Sequence, residues 1–275
     1  MSGVLFSVPG CMRCAVVKKY LRQIRIMYEE QDAIGEGKDA FGAFYRAHRS
    51  VVSRGPQGVE FPIWADGTIV RQGLGEVIAH LHSGEALKGF ICPGTLGNGW
   101  LDGIDLSGGE PTALPQLIEV LRFFKQNGIK LQLSTWGRNA AILEALQAEG
   151  LGERVVMTLL GPPAVYHNIF AVDPQEVARA MTAVTRFPEY RFDTNVRLQL
   201  PTNNAVGSRD LTIAEVEETA RWLKECTRNH RQPYHLFWDL PSKAGQPQGP
   251  GTQINLFAYR STARRHQVGA EIRNV

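Results

Sequence analysis

Residues 101–137, LDGIDLSGGEPTALPQLIEVLRFFKQNGIKLQLSTWG, constrain the fold more than any other stretch of the chain. A short apolar run over 101–106 meets a turn at Ser107-Gly108-Gly109, a helical spacing of apolar residues follows, and 129–134 alternate again. The pattern reads as strand, loop, helix, strand. A connection of this length makes the two strands parallel with a right-handed crossover, and parallel strands are covered on both faces. Further α/β units must therefore flank this one. Ligands in parallel α/β folds gather beyond the carboxyl ends of the strands, so the loop of this unit is where chemistry is expected. Gly108 and Gly109 leave room for a ligand at the backbone, Glu110 offers a carboxylate, and Pro111 suits the first turn of a helix. The plain alternative for a double glycine is a tight turn with no ligand.

The whole phrase carries more than its glycines. Leu-Ser-Gly-Gly-Glu-Pro-Thr, then an amphipathic helix, an Asn127-Gly128 stop and a strand ending Ser134-Thr135-Trp136-Gly137, resembles the second βαβ unit of the radical S-adenosylmethionine enzymes. The resemblance implies that Gly108, Gly109, Glu110 and Pro111 bind S-adenosylmethionine at the amino group of its methionine moiety. Downstream, the pattern predicts a helix over 140–148, a strand over 154–160, a loop over 163–170, and a helix over 174–185 capped by Asp173. A strand follows over 190–200, then a helix over 214–226 behind the capping box Thr212-Ile213-Ala214-Glu215, and a last strand over 234–238. These segments resemble the later strands of activating enzymes for glycyl-radical proteins, which makes such a protein a candidate partner. With residues 89–92 as a first strand the count reaches six, the number for a partial (β/α)6 barrel over 88–245. A join rich in Gly, Pro and Gln at 245–251 leads to a basic tail, 246–275, that packs on the barrel bottom or stays mobile.

One departure from the family is plain. Its members hold a four-iron cluster on a loop with three cysteines spaced Cys-x3-Cys-x2-Cys, whereas the loop here reads Cys92-Pro93-Gly94-Thr95-Leu96-Gly97-Asn98-Gly99-Trp100. A single thiolate does not hold a cubane cluster, so the sequence argues against a 4Fe–4S cofactor unless Cys11 and Cys14 dock at the barrel mouth. Trp136 stands where the family commonly has asparagine, and fills the nucleoside space or stacks on an adenine. Arg197, on a strand that usually faces the cofactor cavity, reads first as a salt-bridge residue.

At 275 residues the chain has room for two modest domains, and 43% hydrophobic with 21% charged residues is an ordinary globular composition. A net charge of +3 is too slight to imply nucleic acid. The first nine residues carry no basic leader and no apolar stretch reaches the ~20 residues that span a bilayer, so the expectation is a cytoplasmic protein without a membrane partner. Four cysteines, two of them as Cys11-Met12-Arg13-Cys14, point to reactive thiols or metal ligands in a reducing compartment.

Around that pair the pattern is a strand over 4–8, a turn at Pro9-Gly10, then a helix through Ala15, Val16, Val17, Tyr20 and Leu21. A thiolate at a helix N-terminus is stabilised by free N–H groups and the dipole, and Arg13, Lys18 and Lys19 add positive potential. Cys11 is the expected nucleophile, and Cys14, on the same helical face, the thiol that resolves a mixed disulfide. This stretch, with Tyr28-Glu29-Glu30-Gln31-Asp32 and Val59-Glu60-Phe61-Pro62-Ile63-Trp64-Ala65-Asp66-Gly67, resembles the glutaredoxin branch of the thioredoxin fold. The resemblance covers residues 1–84 and implies that Pro62 is a cis proline facing the thiols, with glutathione or a protein as thiol partner. Asp66-Gly67 signals a hairpin, residues 73–81 fit a closing helix, and 39–59 are longer and more basic than a minimal glutaredoxin needs. The alternative for the pair is half a zinc site, but no second Cys-x-x-Cys or His pair follows at finger spacing, and His48, His80 and His82 have no partner pattern.

The expected architecture is therefore α/β, a thioredoxin-like domain followed by a partial radical S-adenosylmethionine-like barrel. The expected function is a thiol–disulfide oxidoreductase whose barrel binds the cofactor or a partner, because its residues are all present; the alternatives are a working radical enzyme or activase, and a non-catalytic adaptor.

Overall fold

A computed structural model describes residues 3–55, 58–94, 99–201, 207–238 and 254–273. The join expected at 245–251 lies outside them. The chain divides into two compact units, Met1–Leu133 and Ser134–Val275.

The first unit begins with β1 (Gly3–Ser7), α1 (Met12–Gln23), β2 (Tyr28–Asp32) and α2 (Lys38–Ala47), followed by the two-residue strands β3 (Arg54–Gly55) and β4 (Gly58–Val59). Then come β5 (Ile63–Asp66), β6 (Ile69–Gln72) and α3 (Leu74–Ser83). β1 pairs in parallel with β2 and antiparallel with β5, and β6 pairs antiparallel with β5, giving the sheet order β2-β1-β5-β6. The hairpin turns at Gly67, whose φ of 58° lies in the left-handed region that glycine enters without a Cβ penalty. Leu5, Val17, Leu21, Ile63, Trp64, Val77 and Ile78 are buried. The extra length before β4 is accounted for by α2, which lays Phe41 and Phe44 against Phe6.

Next are β7 (Trp100–Asp105), a 3₁₀ turn (Pro111–Ala113), α4 (Leu114–Gln126) and β8 (Lys130–Thr135), the strand–loop–helix–strand unit expected from sequence. The second unit adds α5 (Ala140–Ala148), β9 (Arg154–Thr158), α6 (Pro163–Phe170), α7 (Pro174–Val184) and β10 (Glu189–Asn195). It ends with β11 (Arg197–Leu200), β12 (Gly207–Asp210), α8 (Ile213–Thr227), β13 (Tyr234–Phe237), α9 (Leu256–Ala263) and β14 (Glu271–Ile272). A six-stranded parallel sheet runs β14-β13-β10-β9-β8-β7, compatible with a partial radical S-adenosylmethionine-like barrel.

Four expectations are corrected. Residues 89–92 are not a parallel first strand: Ile91 bridges Ile104 antiparallel, Cys92 N–H donates to Gly103 O at 2.8 Å and Asp105 N–H to Phe90 O at 2.8 Å. The sixth strand comes instead from the tail, where β14 pairs with β13. Residues 163–170 form a helix, because Pro163 at its first position lacks only an N–H that a helix start leaves unpaired anyway. The long strand over 190–200 breaks at Val196, where Asn195 Oδ1 accepts the Arg197 N–H at 3.0 Å, and the chain turns into a separate β11–β12 hairpin.

The capping box forms as read: Thr212 Oγ1 accepts the Glu215 N–H at 3.1 Å and Glu215 accepts the Thr212 N–H at 2.8 Å. Arg209 adds two bonds to the same carboxylate, at 2.7 and 2.8 Å. Thr212→Ala is expected to cost about 1 kcal/mol in urea unfolding. The hydrogen bond from Arg209 is the main reason the Glu215 carboxyl lies below its ordinary value. A lowered folded pKa gives stability that is whole above the unfolded pKa and is lost as pH falls. The stability difference between wild type and Glu215→Gln should therefore shrink between about pH 5 and pH 3.

Candidate functional site

Cys11 is the residue that caps α1. Its backbone is extended, with φ −75° and ψ 106°, and its Sγ accepts the Cys14 N–H at 3.0 Å. The sulfur thus sits where a helix leaves its first N–H groups unpaired. Cys11 and Cys14 are joined as a disulfide with Cα atoms 5.3 Å apart. Cys14 is 1% exposed whereas Cys11 is only half-buried.

The peptide bond Phe61–Pro62 is cis. β5 pairs Ile63 with Phe6, so Pro62 comes level with the end of β1, where the chain leaves for the Cys11 turn. A cleft of about 470 Å³ opens between that turn, α1 and β2, with Cys11, Met12, Lys18, Glu30 and Asp32 on its walls. The positive potential expected from Arg13 and Lys18 is largely spent. Arg13 pairs with Glu60 and donates to Trp100 O at 3.1 Å, and Lys18 pairs with Glu30. Burial pushes the Glu60 carboxyl up, outweighing Arg13 beside it. His82 does have partners: it shares a hydrogen bond with Tyr20 Oη at 2.8 Å and lies 3.1 Å from Glu119. Burial, with Glu119 second, raises the Tyr20 hydroxyl to about 12.

The glycine loop follows β7. Asp105 Oδ1 accepts the Ser107 N–H at 2.9 Å, and burial raises the Asp105 carboxyl despite the bonds it accepts. Neither Gly108 nor Gly109 has a positive φ, so the reason for glycine is space. A Cβ on Gly108 would lie 2.5 Å from Gly89 O, and one on Gly109 would lie 2.2 Å from the ring of the fully buried Phe90. The room beside the two glycines is filled by the chain's own residues 89 and 90. Glu110 and Pro111 are exposed. Phe90 and Asp105 were not singled out in the sequence; a buried aromatic next to a glycine is an ordinary core signal.

The donor set does not fit a four-iron cluster. Two of the four cysteines are tied to each other, Cys92 is exposed and Cys226 lies on α8, where burial pushes its thiol up to about 11. Among the described residues no group of three or more His, Cys, Asp or Glu side chains is placed to hold a metal ion. Arg197 pairs with Asp210 at 3.0 Å across the β11–β12 hairpin. Trp136 lies against Tyr166 and Phe170 of α6, with ring centroids 6.5 and 5.9 Å away. Among the described residues no helix is long and apolar enough to cross a membrane.

No protein-family model matches the chain. A curated relative, the AdoMet-dependent heme synthase of Methanosarcina barkeri (strain Fusaro / DSM 804), is 28% identical over 142 residues, which are 51% of this chain and 37% of that protein. The match thus spans little more than a third of the relative's length. This distant, partial similarity supports a radical S-adenosylmethionine-like relationship, and it adds nothing to the glutaredoxin resemblance.

If the glycines serve packing, Gly109→Ala should destabilise the protein by about 1–3 kcal/mol through overpacking against Phe90. The exposed Glu110→Ala should change stability by no more than about 0.5 kcal/mol. Urea unfolding of both variants checks the contrast.

Proposed function

We propose that this chain is a thiol–disulfide oxidoreductase working at Cys11 and Cys14, with residues 1–84 as a glutaredoxin-like module and the downstream sheet as a radical S-adenosylmethionine-like module. The observation that carries the reading is the pair itself: a disulfide at a helix N-terminus with one half-buried cysteine and one buried one. The sheet order β2-β1-β5-β6 and the cis bond at Pro62 support the glutaredoxin resemblance.

In the reduced protein the Cys11 thiolate attacks one sulfur of a substrate disulfide, that S–S bond breaks, and the first thiol leaves with a proton. Cys14 then loses its proton and attacks the Cys11 sulfur, which closes the observed disulfide and releases the second thiol. The Cys14 N–H and the start of α1 stabilise the thiolate that begins this sequence. Substrate is thereby reduced and the protein oxidised. Cys14→Ser should stop at the mixed disulfide, seen as added mass, while Cys11→Ser should abolish turnover of bis(2-hydroxyethyl) disulfide. Alkylation of Cys11 in the reduced protein should titrate below the ~8.5 of a free thiol; a Cys11 that alkylates sluggishly at neutral pH overturns the reading.

The similarity to the heme synthase favours a second reading for the downstream module, in which it binds S-adenosylmethionine through the loop 108–111. Glu110 is the residue that would meet the methionine ammonium; the cofactor, once bound, would supply a sulfonium open to cleavage or group transfer. Titration calorimetry with S-adenosylmethionine tests this, with Glu110→Ala expected to weaken binding by about tenfold, the worth of one charge-assisted contact. Heat indistinguishable from dilution removes the second reading and leaves the first standing.

A further inference from the structure

We infer that the Cys11 cleft selects disulfides flanked by positive charge over anionic ones such as glutathione disulfide. The inference rests on the dithiol reading above and concerns what that site takes.

Among the described residues, the charged side chains lining the cleft are Lys18, Glu30 and Asp32. Both carboxylates come from β2, the strand paired in parallel with the one that leads to Cys11. Lys18 pairs with Glu30, whose carboxylate also accepts the Ser7 hydroxyl at 2.8 Å. Burial raises the Glu30 carboxyl and Asp32 adds to that rise, but the bonds and charge from Lys18 together with Ser7 outweigh them, so Glu30 is held ionised. Asp32 Oδ1 accepts the N–H groups of Ile34 and Gly35, each at 3.1 Å, which keeps the carboxylate in place at the end of β2. One cation therefore faces two carboxylates. The cation nearest in sequence, Arg13, is turned to Glu60 and Trp100 O.

The reacting group sharpens this balance. When Cys11 attacks it does so as a thiolate, which adds a second negative charge to a wall that already carries an excess of one. The start of α1 offsets part of that thiolate charge. Each half of glutathione disulfide carries more carboxylates than ammonium groups and meets repulsion from both sources. A disulfide with ammonium groups near its sulfurs meets attraction, and Met12, 47% exposed beside Cys11, offers an apolar surface for its methylene arms. The cleft volume of about 470 Å³ is that of a small-ligand site, sufficient for a short cationic disulfide or for the tip of a basic peptide loop.

The exchange obeys the balance already given: two protein thiols and one disulfide yield one protein disulfide and two thiols, with both protons carried off by the leaving thiols. No other oxidant or reductant is required. The test is the second-order rate at which the reduced full chain consumes cystamine, compared with 3,3′-dithiodipropionate. Each rate is divided by that of dithiothreitol on the same disulfide to remove intrinsic reactivity. A parallel pair of peptide disulfides, one flanked by lysines and the other by glutamates, separates a small-molecule source of the charge from a polypeptide one.

The cation-to-anion ratio should be about tenfold or more at low salt and fall toward unity at ~0.5 M salt, where surface charges are screened. Discrimination confined to the peptide pair assigns the site to a basic polypeptide, and discrimination in both pairs assigns it to small cationic disulfides. Asp32→Asn keeps an oxygen for Ile34 and Gly35 and should lower the ratio by about threefold, whereas Lys18→Gln should raise it by a similar factor. The ratio, unlike either rate, does not depend on the fraction of inactive protein, and circular dichroism checks that each variant is folded. A ratio at or below one in both pairs, or one that Asp32→Asn leaves unchanged, overturns the inference while the dithiol reading stands. If none of these disulfides reacts with the chain although dithiothreitol consumes them, the dithiol reading itself falls.

Discussion

The first N–H groups of a helix have no acceptor within it, and in this chain a sulfur supplies one at the start of α1. Cys11 caps its own helix through Sγ, the Cys14 amide is the donor, and the same geometry that satisfies the helix end puts the two sulfurs within bonding reach. Everything around this cap serves to hold it in place. β1 delivers the chain to the turn from the middle of a four-stranded sheet, β5 brings Pro62 level with the end of β1, and Arg13 ties the first turn of α1 to Glu60 and to the backbone at Trp100. The buried face of α1, carried by Val16, Val17, Tyr20 and Leu21, keeps the helix from shifting relative to the sheet.

The same neighbourhood shows why charge has to be counted by partner. Arg13, Lys18 and Lys19 suggest a cationic site, but two of the three are engaged by carboxylates, and the cleft is also lined by Glu30 and Asp32 of β2. A guanidinium already paired to a carboxylate adds little net field at a distance, since the two charges nearly cancel beyond their own separation. Among the described residues that line the cleft, Asp32 is the charged side chain without an ion pair.

The elements themselves were largely legible. The Cys-x-x-Cys at a helix start, the hairpin at Asp66-Gly67, the unit from β7 to β8 and the capping box at Thr212 all appear where the pattern put them, because each is written in a few neighbouring residues. The misreadings share a cause. Residues 89–92 have the composition of a strand but not enough length to declare a direction. Pro162-Pro163 looks like a loop although proline is acceptable at a helix start. The alternation over 190–200 continues through the point where Asn195 bends the backbone. In each case the local signal was real and its meaning depended on what lay beside it.

By itself the sequence determined most of the helices and strands, that Cys11 and Cys14 stand at the start of a helix, and that a double glycine with a glutamate follows β7, since periodicity, caps and turn residues act over a few positions along the chain. Only the tertiary structure decided that Phe90 and the Gly89 carbonyl fill the space beside those glycines, that the last strand of the sheet is drawn from the tail, and that Lys18 is neutralised by Glu30. The reason is that excluded volume and charge pairing depend on distance through space, and the residues that meet at these points are far apart in the chain.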